Sequence, residues 1–266
     1  MSLPLPDAVR GLCVLTSLCL VIQSVEALRL LTGSRLAQPW PWHLQRDDLK
    51  GSPAWLRGFF DALFQPTVHR VHVALHGLAA LSLAATLPSP LLAIGLLLSQ
   101  MILQIRWRGA FNGGADFMTL VLLIGIAVGA GLVPFVGESL AWQAGLWVIS
   151  IQTLSSYFLS GSVKLRYRGW RDGRALTALL DGAIYGPLAA NSMLRHRPIA
   201  IASSWAFILW EAAFPLTMIH PNVITMWCAI GASFHFLVFW FFGLNRFFWA
   251  WLAAYPALIG CASLLQ

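Results

Sequence analysis

Apolar positions in this chain come in continuous runs rather than in alternation. The runs cover residues 11–31, 69–87, 89–105, 117–136, 140–160, 200–219, 222–242 and 246–265. Each approaches the twenty or so residues that a helix needs to cross a hydrocarbon core of about 30 Å. A transmembrane barrel would show short alternating segments instead, and inside lipid every backbone group must be paired within its own helix. The pattern therefore predicts an all-α polytopic transmembrane bundle of about eight spans, forming a single domain over 1–266. The third run is short and follows Pro88-Ser89-Pro90, which predicts a helix that is tilted or partly enclosed by its neighbours.

Two hydrophilic stretches, 32–68 and 161–198, separate the runs. In the first, Trp55-Leu56-Arg57-Gly58-Phe59-Phe60-Asp61-Ala62-Leu63-Phe64 has the make-up of a short helix lying in the interface, and one or two such helices are expected. The first run follows a lone Arg10 and continues to about Leu31 without a small-residue cleavage site, so it reads as a retained span.

Composition agrees with a chain solvated by lipid. Of 266 residues, 58% are hydrophobic and 10% charged, against roughly a quarter charged in ordinary soluble domains. Thirteen tryptophans are present, and Trp40, Trp42, Trp55, Trp107, Trp142, Trp170 and Trp249 fall near span ends, where an aromatic belt is expected. Cys13, Cys19, Cys228 and Cys261 lie within apolar runs and form no CxxC pair, so they read as small buried apolar residues.

Charge fixes an orientation. With spans numbered by alternation, Arg10 stands alone on the N-terminal side, and the other sixteen of the seventeen Lys and Arg residues collect on the opposite side. The positive-inside rule places that side in the cytoplasm and both termini outside. The net charge of +7 is thus a topology signal, and no compact basic domain exists to carry nucleic acid.

Ionisable side chains within spans are costly and are functional candidates by default. They are Glu26, Glu211 and His235, with Asp116 at the entrance to the fourth run and Lys164 just after the fifth. The alternative role for each is helix-to-helix glue. A lysine emerging from an apolar span can be held neutral by desolvation and act as a general base, or it can snorkel with Arg166 and Arg168. His69, His72 and His76 share one helix face at i, i+3 and i+7. Metal or haem binding lacks a companion carboxylate or Cys there, so interfacial hydrogen bonding is the expected use. Phe111-Asn112-Gly113-Gly114-Ala115-Asp116 matches neither a dinucleotide fingerprint nor a P-loop, and reads as a re-entry turn or a close backbone approach to a ligand.

Ser160-Gly161-Ser162-Val163-Lys164-Leu165, followed by Trp170-Arg171-Asp172-Gly173, resembles the small-Gly-x-x-Lys-Leu…Trp-x-x-Gly segment of the HTTM domain, the membrane domain related to vitamin K-dependent γ-carboxylase. Asn112 and Asp116 before the fourth run, Glu211 with Phe214-Pro215 in the sixth, and His235 ahead of Arg246-Phe247 fall in the same order. The resemblance covers most of the chain and implies a bacterial cytoplasmic (inner) membrane protein. It implies Lys164 as the base that deprotonates a quinol, with Asn112, Asp116, Trp170, Glu211 and His235 in the substrate or cofactor pocket and no metal. It also brings a peptide substrate into view, because relatives include a protein that helps mature a secreted toxin. This chain departs from the carboxylase in having no histidine before the fourth run and in ending at Gln266 on its last run, so it is not read as a γ-carboxylase. Two functional readings stand: a quinol-linked oxidoreductase or carboxylase-like modifying enzyme, and a non-catalytic accessory or assembly subunit of a larger membrane complex. A transporter finds no internal repeat to support it.

Overall fold

The computed structural model describes residues 3–33, 41–107 and 113–266, and every regular element among them is helical. In chain order these are α1 (Leu5–Thr32), α2 (Trp42–Gln45), α3 (Ala54–Leu63), α4 (Pro66–Ala85), α5 (Pro90–Trp107), α6 (Gly113–Val136), α7 (Glu138–Arg166), α8 (Arg168–Arg171), α9 (Arg174–Asp181), α10 (Arg197–Ala212), α11 (Pro221–Phe242) and α12 (Asn245–Leu264). Seven of the eight apolar runs each fall on one long helix, to within one or two residues at the ends. Prolines mark several starts, within the first turns of α1, α4, α10 and α11, where the missing N–H has no intrahelical partner to lose.

Two boundaries differ from the sequence reading for local reasons. Helix α7 continues past residue 160 to Arg166, so Lys164 is still helical and its Nζ reaches back to Ser160 Oγ one turn earlier. The sixth run is not one helix. α10 stops at Ala212 and passes into a 3-10 turn over Phe214–Ile219, because Pro215 has no N–H with which to continue the α pattern.

Among the described residues five helices, α1, α5, α6, α11 and α12, are long and apolar enough to cross a membrane. The bundle is built around α1, α6, α7 and α12, with α4 and α5 on one flank and α10 and α11 on the other. Helices α6 and α7 touch backbone to backbone, and a Cβ at Gly145 would lie 2.5 Å from the Gly125 carbonyl oxygen. Small residues at such seams let helices gain dispersion contacts that lipid cannot supply. The expected interfacial helix is α3, which buries Phe60 and leaves Trp55 72% exposed on its outer face.

Polar side chains tie the centre together. Gln23 on α1 donates to Thr119 Oγ1 on α6 at 2.9 Å and accepts from Gln100 Nε2 on α5 at 3.2 Å. One turn further, Glu26 receives Asn245 Nδ2 and Arg246 Nε from α12. Glu26 thereby serves as a staple between α1 and α12, one of the two uses that its position in a span allowed.

Candidate functional site

The Lys164 site is assembled by α7, α8, α10 and α11. Residues 160 and 164 share one face of α7, one turn apart. Helix α10 comes against that face at Gly161, where a Cβ would lie 2.4 Å from the Ala212 backbone nitrogen. That close approach brings Glu211 opposite Lys164. The Nζ donates to Glu211 Oε2 at 2.6 Å and to Ser160 Oγ at 2.6 Å, and Ser160 Oγ donates to Glu211 Oε1 at 3.2 Å. Both charged side chains are withdrawn from the surface, 14% exposed for Lys164 and 5% for Glu211. An ammonium has three donors, and one is left uncommitted among the described residues.

The Trp170 turn is fastened to α10. Ser204 Oγ donates to the Trp170 carbonyl at 2.5 Å and Trp205 Nε1 to the Arg171 carbonyl at 3.1 Å. Gly173 follows at φ +79°, and a Cβ there would meet the Ala200 and Ile201 backbone at 2.8 Å, so glycine is required both for the left-handed conformation and for space. Asp172 closes the turn by accepting from Arg174, whose guanidinium holds the Asp172 carboxyl below the usual carboxylate range. The result sets the Trp170 ring 5.3 Å and the Phe207 ring 4.8 Å from Lys164 Nζ, within reach of cation–π attraction.

This pair lies in the wall of a cavity of about 610 Å³. Apart from Lys164, Glu211, His235, Tyr157 and three serines, its lining is apolar, drawn from α8 to α12 and the turn between α9 and α10. His235 is buried on α11 and shares the cavity. Its Nε2 is 2.6 Å from the Tyr157 hydroxyl, which in turn is 2.8 Å from the Tyr255 hydroxyl. Its Nδ1 has no hydrogen-bond partner among the described residues. The Trp251 ring stacks on the imidazole at 5.1 Å, and Phe214 stacks on Tyr157 at 4.1 Å. These rings hold both polar groups in fixed orientations, as buried aromatics do.

Of the residues singled out from sequence, Lys164, Trp170, Glu211 and His235 line this one cavity. Asp116 does not. It sits at the start of α6 beside Gln23, His76, Gln100, Gln104 and Arg246, where its backbone carbonyl accepts from Gln104 at 2.6 Å. The start of α6 packs toward α5, whereas the cavity opens among α7, α10 and α11. Asn112 lies outside the described residues. Tyr157, Tyr255 and Phe207 were not singled out, because no charge or motif distinguishes them from aromatic core residues. The three histidines of α4 separate in use: His72 Nε2 and His76 Nδ1 both bond Ser99 Oγ at 2.8 Å, while His69 packs edge-on against Phe64. Among the described residues no group of three or more His, Cys, Asp or Glu side chains is placed to hold a metal ion.

No family model, no curated protein and no solved structure matches this chain.

Proposed function

We propose that the chain is an eight-span HTTM-like membrane protein that binds an apolar or amphipathic molecule in the Lys164 cavity and moves a proton there through the Lys164–Glu211 pair. The observation that carries this reading is a buried lysine and a buried glutamate in contact at 2.6 Å in the wall of a large, mostly apolar cavity. A purely structural ion pair has no need of a cavity beside it, and buried pairs are often no more stable than apolar packing.

The eight-span topology is supported by the three helices that are less apolar overall. On α4 the exposed side chains include Val71, Leu75, Leu78 and Leu81, while His69 and His76 are buried. On α7, Ile151, Leu159 and Val163 are exposed while Ser150 and Thr153 are buried. Leu209 and Leu216 are exposed on the α10 side, and Glu211 is buried. Polar-in and apolar-out is the arrangement lipid favours. Together with the one-sided basic residues, it supports a cytoplasmic face near Arg171 and two outer termini, in a bacterial inner membrane as the resemblance implies.

The pair has a property suited to the task. Passing the proton from Nζ to the Glu211 carboxylate converts two charges into two neutral groups without changing net charge, which a low-dielectric site tolerates. The amine then has a lone pair at Nζ, directed by Ser160 and bordered by Trp170 and Phe207. The lining fits a molecule with an apolar body and one or two hydrogen-bonding groups, since His235 Nδ1, without a partner among the described residues, and the third donor of Lys164 Nζ are polar positions open to it. A quinol of the kind implied by the resemblance would supply an acidic hydroxyl and two-electron reducing capacity. Lys164 would take the hydroxyl proton at Nζ, and His235 would orient the molecule through Nδ1.

A second reading has its own observation. The same contact joins α7 to α10, so Lys164–Glu211 also serves as a helix lock in an accessory subunit. Lys164→Arg separates the two. An arginine keeps the charge and the pair but does not give up its proton. The proton-transfer reading predicts that a Lys164→Arg strain reproduces the lipid-soluble metabolite and secreted-peptide profile of a deletion strain, with the protein still at its normal level in the membrane. A wild-type profile in that strain would remove the base assignment and leave the helix lock.

A further inference from the structure

A second cavity, of about 570 Å³, lies among α2, α3, α4 and the end of α5. It stands on the basic side of the bundle, beneath the interfacial helix α3. We infer that it is a binding site for a phosphoryl group at the headgroup level of the membrane, with Arg106 as the cation that holds it.

Arg106 lines the cavity, is 7% exposed, and pairs with no carboxylate among the described residues. Its Nη1 donates to Gln45 Oε1 at 2.9 Å, its guanidinium lies over the Trp107 ring at 5.2 Å, and its Nε has no acceptor among the described residues. A buried cation with only neutral partners is costly, and the cost is removed when an anion occupies the space beside it. Asp61 also lines the cavity, but its Oδ1 accepts from Arg46 Nε and Trp42 Nε1, each at 2.8 Å, so its charge is taken up within the rim.

His69 supplies a second, independent indication. It is 1% exposed, lines the same cavity, and neither ring nitrogen has a hydrogen-bond partner among the described residues. In either tautomer one nitrogen is a donor, and a phosphoryl oxygen is an acceptor that Arg106 and His69 can share. Planar guanidinium with phosphate is a favoured pairing. Of the remaining walls, His43 and Gln65 are polar, while Leu31, Trp42 and Phe64 are apolar and suit the start of an acyl chain. Basic pockets between spans on the cytoplasmic side are where anionic headgroups are held.

The test uses the delipidated full-length protein and native mass spectrometry. Dioleoyl phosphatidylglycerol and dioleoylglycerol, which share chains and differ in the phosphoryl headgroup, are offered at equal concentration. Wild-type protein is expected to retain the phospholipid over the neutral lipid by about tenfold or more, and Arg106→Gln to bring the ratio within about twofold. His69→Phe keeps the ring volume but removes both nitrogens, and is expected to lower the ratio several-fold. Equal retention of the two lipids by wild-type protein overturns the inference, as does an unchanged ratio in Arg106→Gln or, should that variant not fold, in His69→Phe. Inorganic phosphate in a parallel sample distinguishes the source. Displacement of the adduct at millimolar phosphate assigns the site to a soluble phosphoryl group, and persistence of the adduct assigns it to a lipid headgroup.

Discussion

At the scale of single residues, two carboxylates inside the bundle, Glu211 and Glu26, are held against cations, Lys164 and Arg246. Lys164 and Glu211 illustrate the energetics. Removing one partner from a buried pair strands the other, at a typical cost of about 3–5 kcal/mol, whereas replacing both by apolar groups is often neutral or stabilising. Lys164→Met and Glu211→Leu are each expected to lower the thermal midpoint of the detergent-solubilised protein, and the double variant to recover most of the loss. A double variant as unstable as the sum of the two would mean that the side chains do not act as a pair. The charge-in-span rule made both residues legible from sequence, along with His235. It did not reveal that Tyr157 and Tyr255 extend the His235 network, because a tyrosine in an apolar run looks like any aromatic core residue. Nor did it separate Asp116 from the Lys164 group, since the cost of a buried carboxylate says nothing of which neighbours relieve it.

At the scale of elements, hydropathy located all eight long helices, and local backbone chemistry set their ends. Lys164 is helical because α7 runs on to Arg166, which a fall in hydropathy after Ser160 concealed. Glycine and proline carried the detail that hydropathy misses: Gly161 sets how closely α10 approaches, and Pro215 ends the α pattern after Glu211. Which side each loop occupies is open to direct labelling, since Cys13, Cys19, Cys228 and Cys261 are all buried and contribute little background. A membrane-impermeant maleimide on intact cells is expected to modify Ser89→Cys, Ser139→Cys and Asn222→Cys, and to reach Lys50→Cys and Arg171→Cys only after permeabilisation. Labelling of Ser139→Cys and Arg171→Cys from the same side would mean that α7 does not cross. The same result for Lys50→Cys and Ser89→Cys would remove α4 from the count, and for Arg171→Cys and Asn222→Cys it would remove α10.

At the scale of the whole molecule, the bundle divides its labour. The α1–α4–α5–α6–α12 side is cross-linked at its centre by hydrogen bonds through Gln23, Gln100, Thr119, Glu26 and Arg246. The α7–α10–α11 side is left hollow around the Lys164–Glu211 contact. Sequence alone indicated that a polar group existed near Lys164. It could not indicate a cavity, because Leu180, Val238 and Phe242 come together there only through the packing of α9 on α10 and of α11 on α12. A filled bundle would suit a scaffold, and a hollow one suits a binding protein. The central claim is that the hollow holds an apolar molecule, and Val238→Trp tests it by filling the space without touching the Lys164 pair. Protein purified from its own membranes in mild detergent is extracted with organic solvent, and the extract is analysed by mass spectrometry. A stoichiometric apolar compound is expected in the wild-type extract and not in the Val238→Trp extract, with both proteins folded to the same thermal midpoint within a few degrees. Identical extracts from the two proteins, with no compound unique to the wild type, would contradict it.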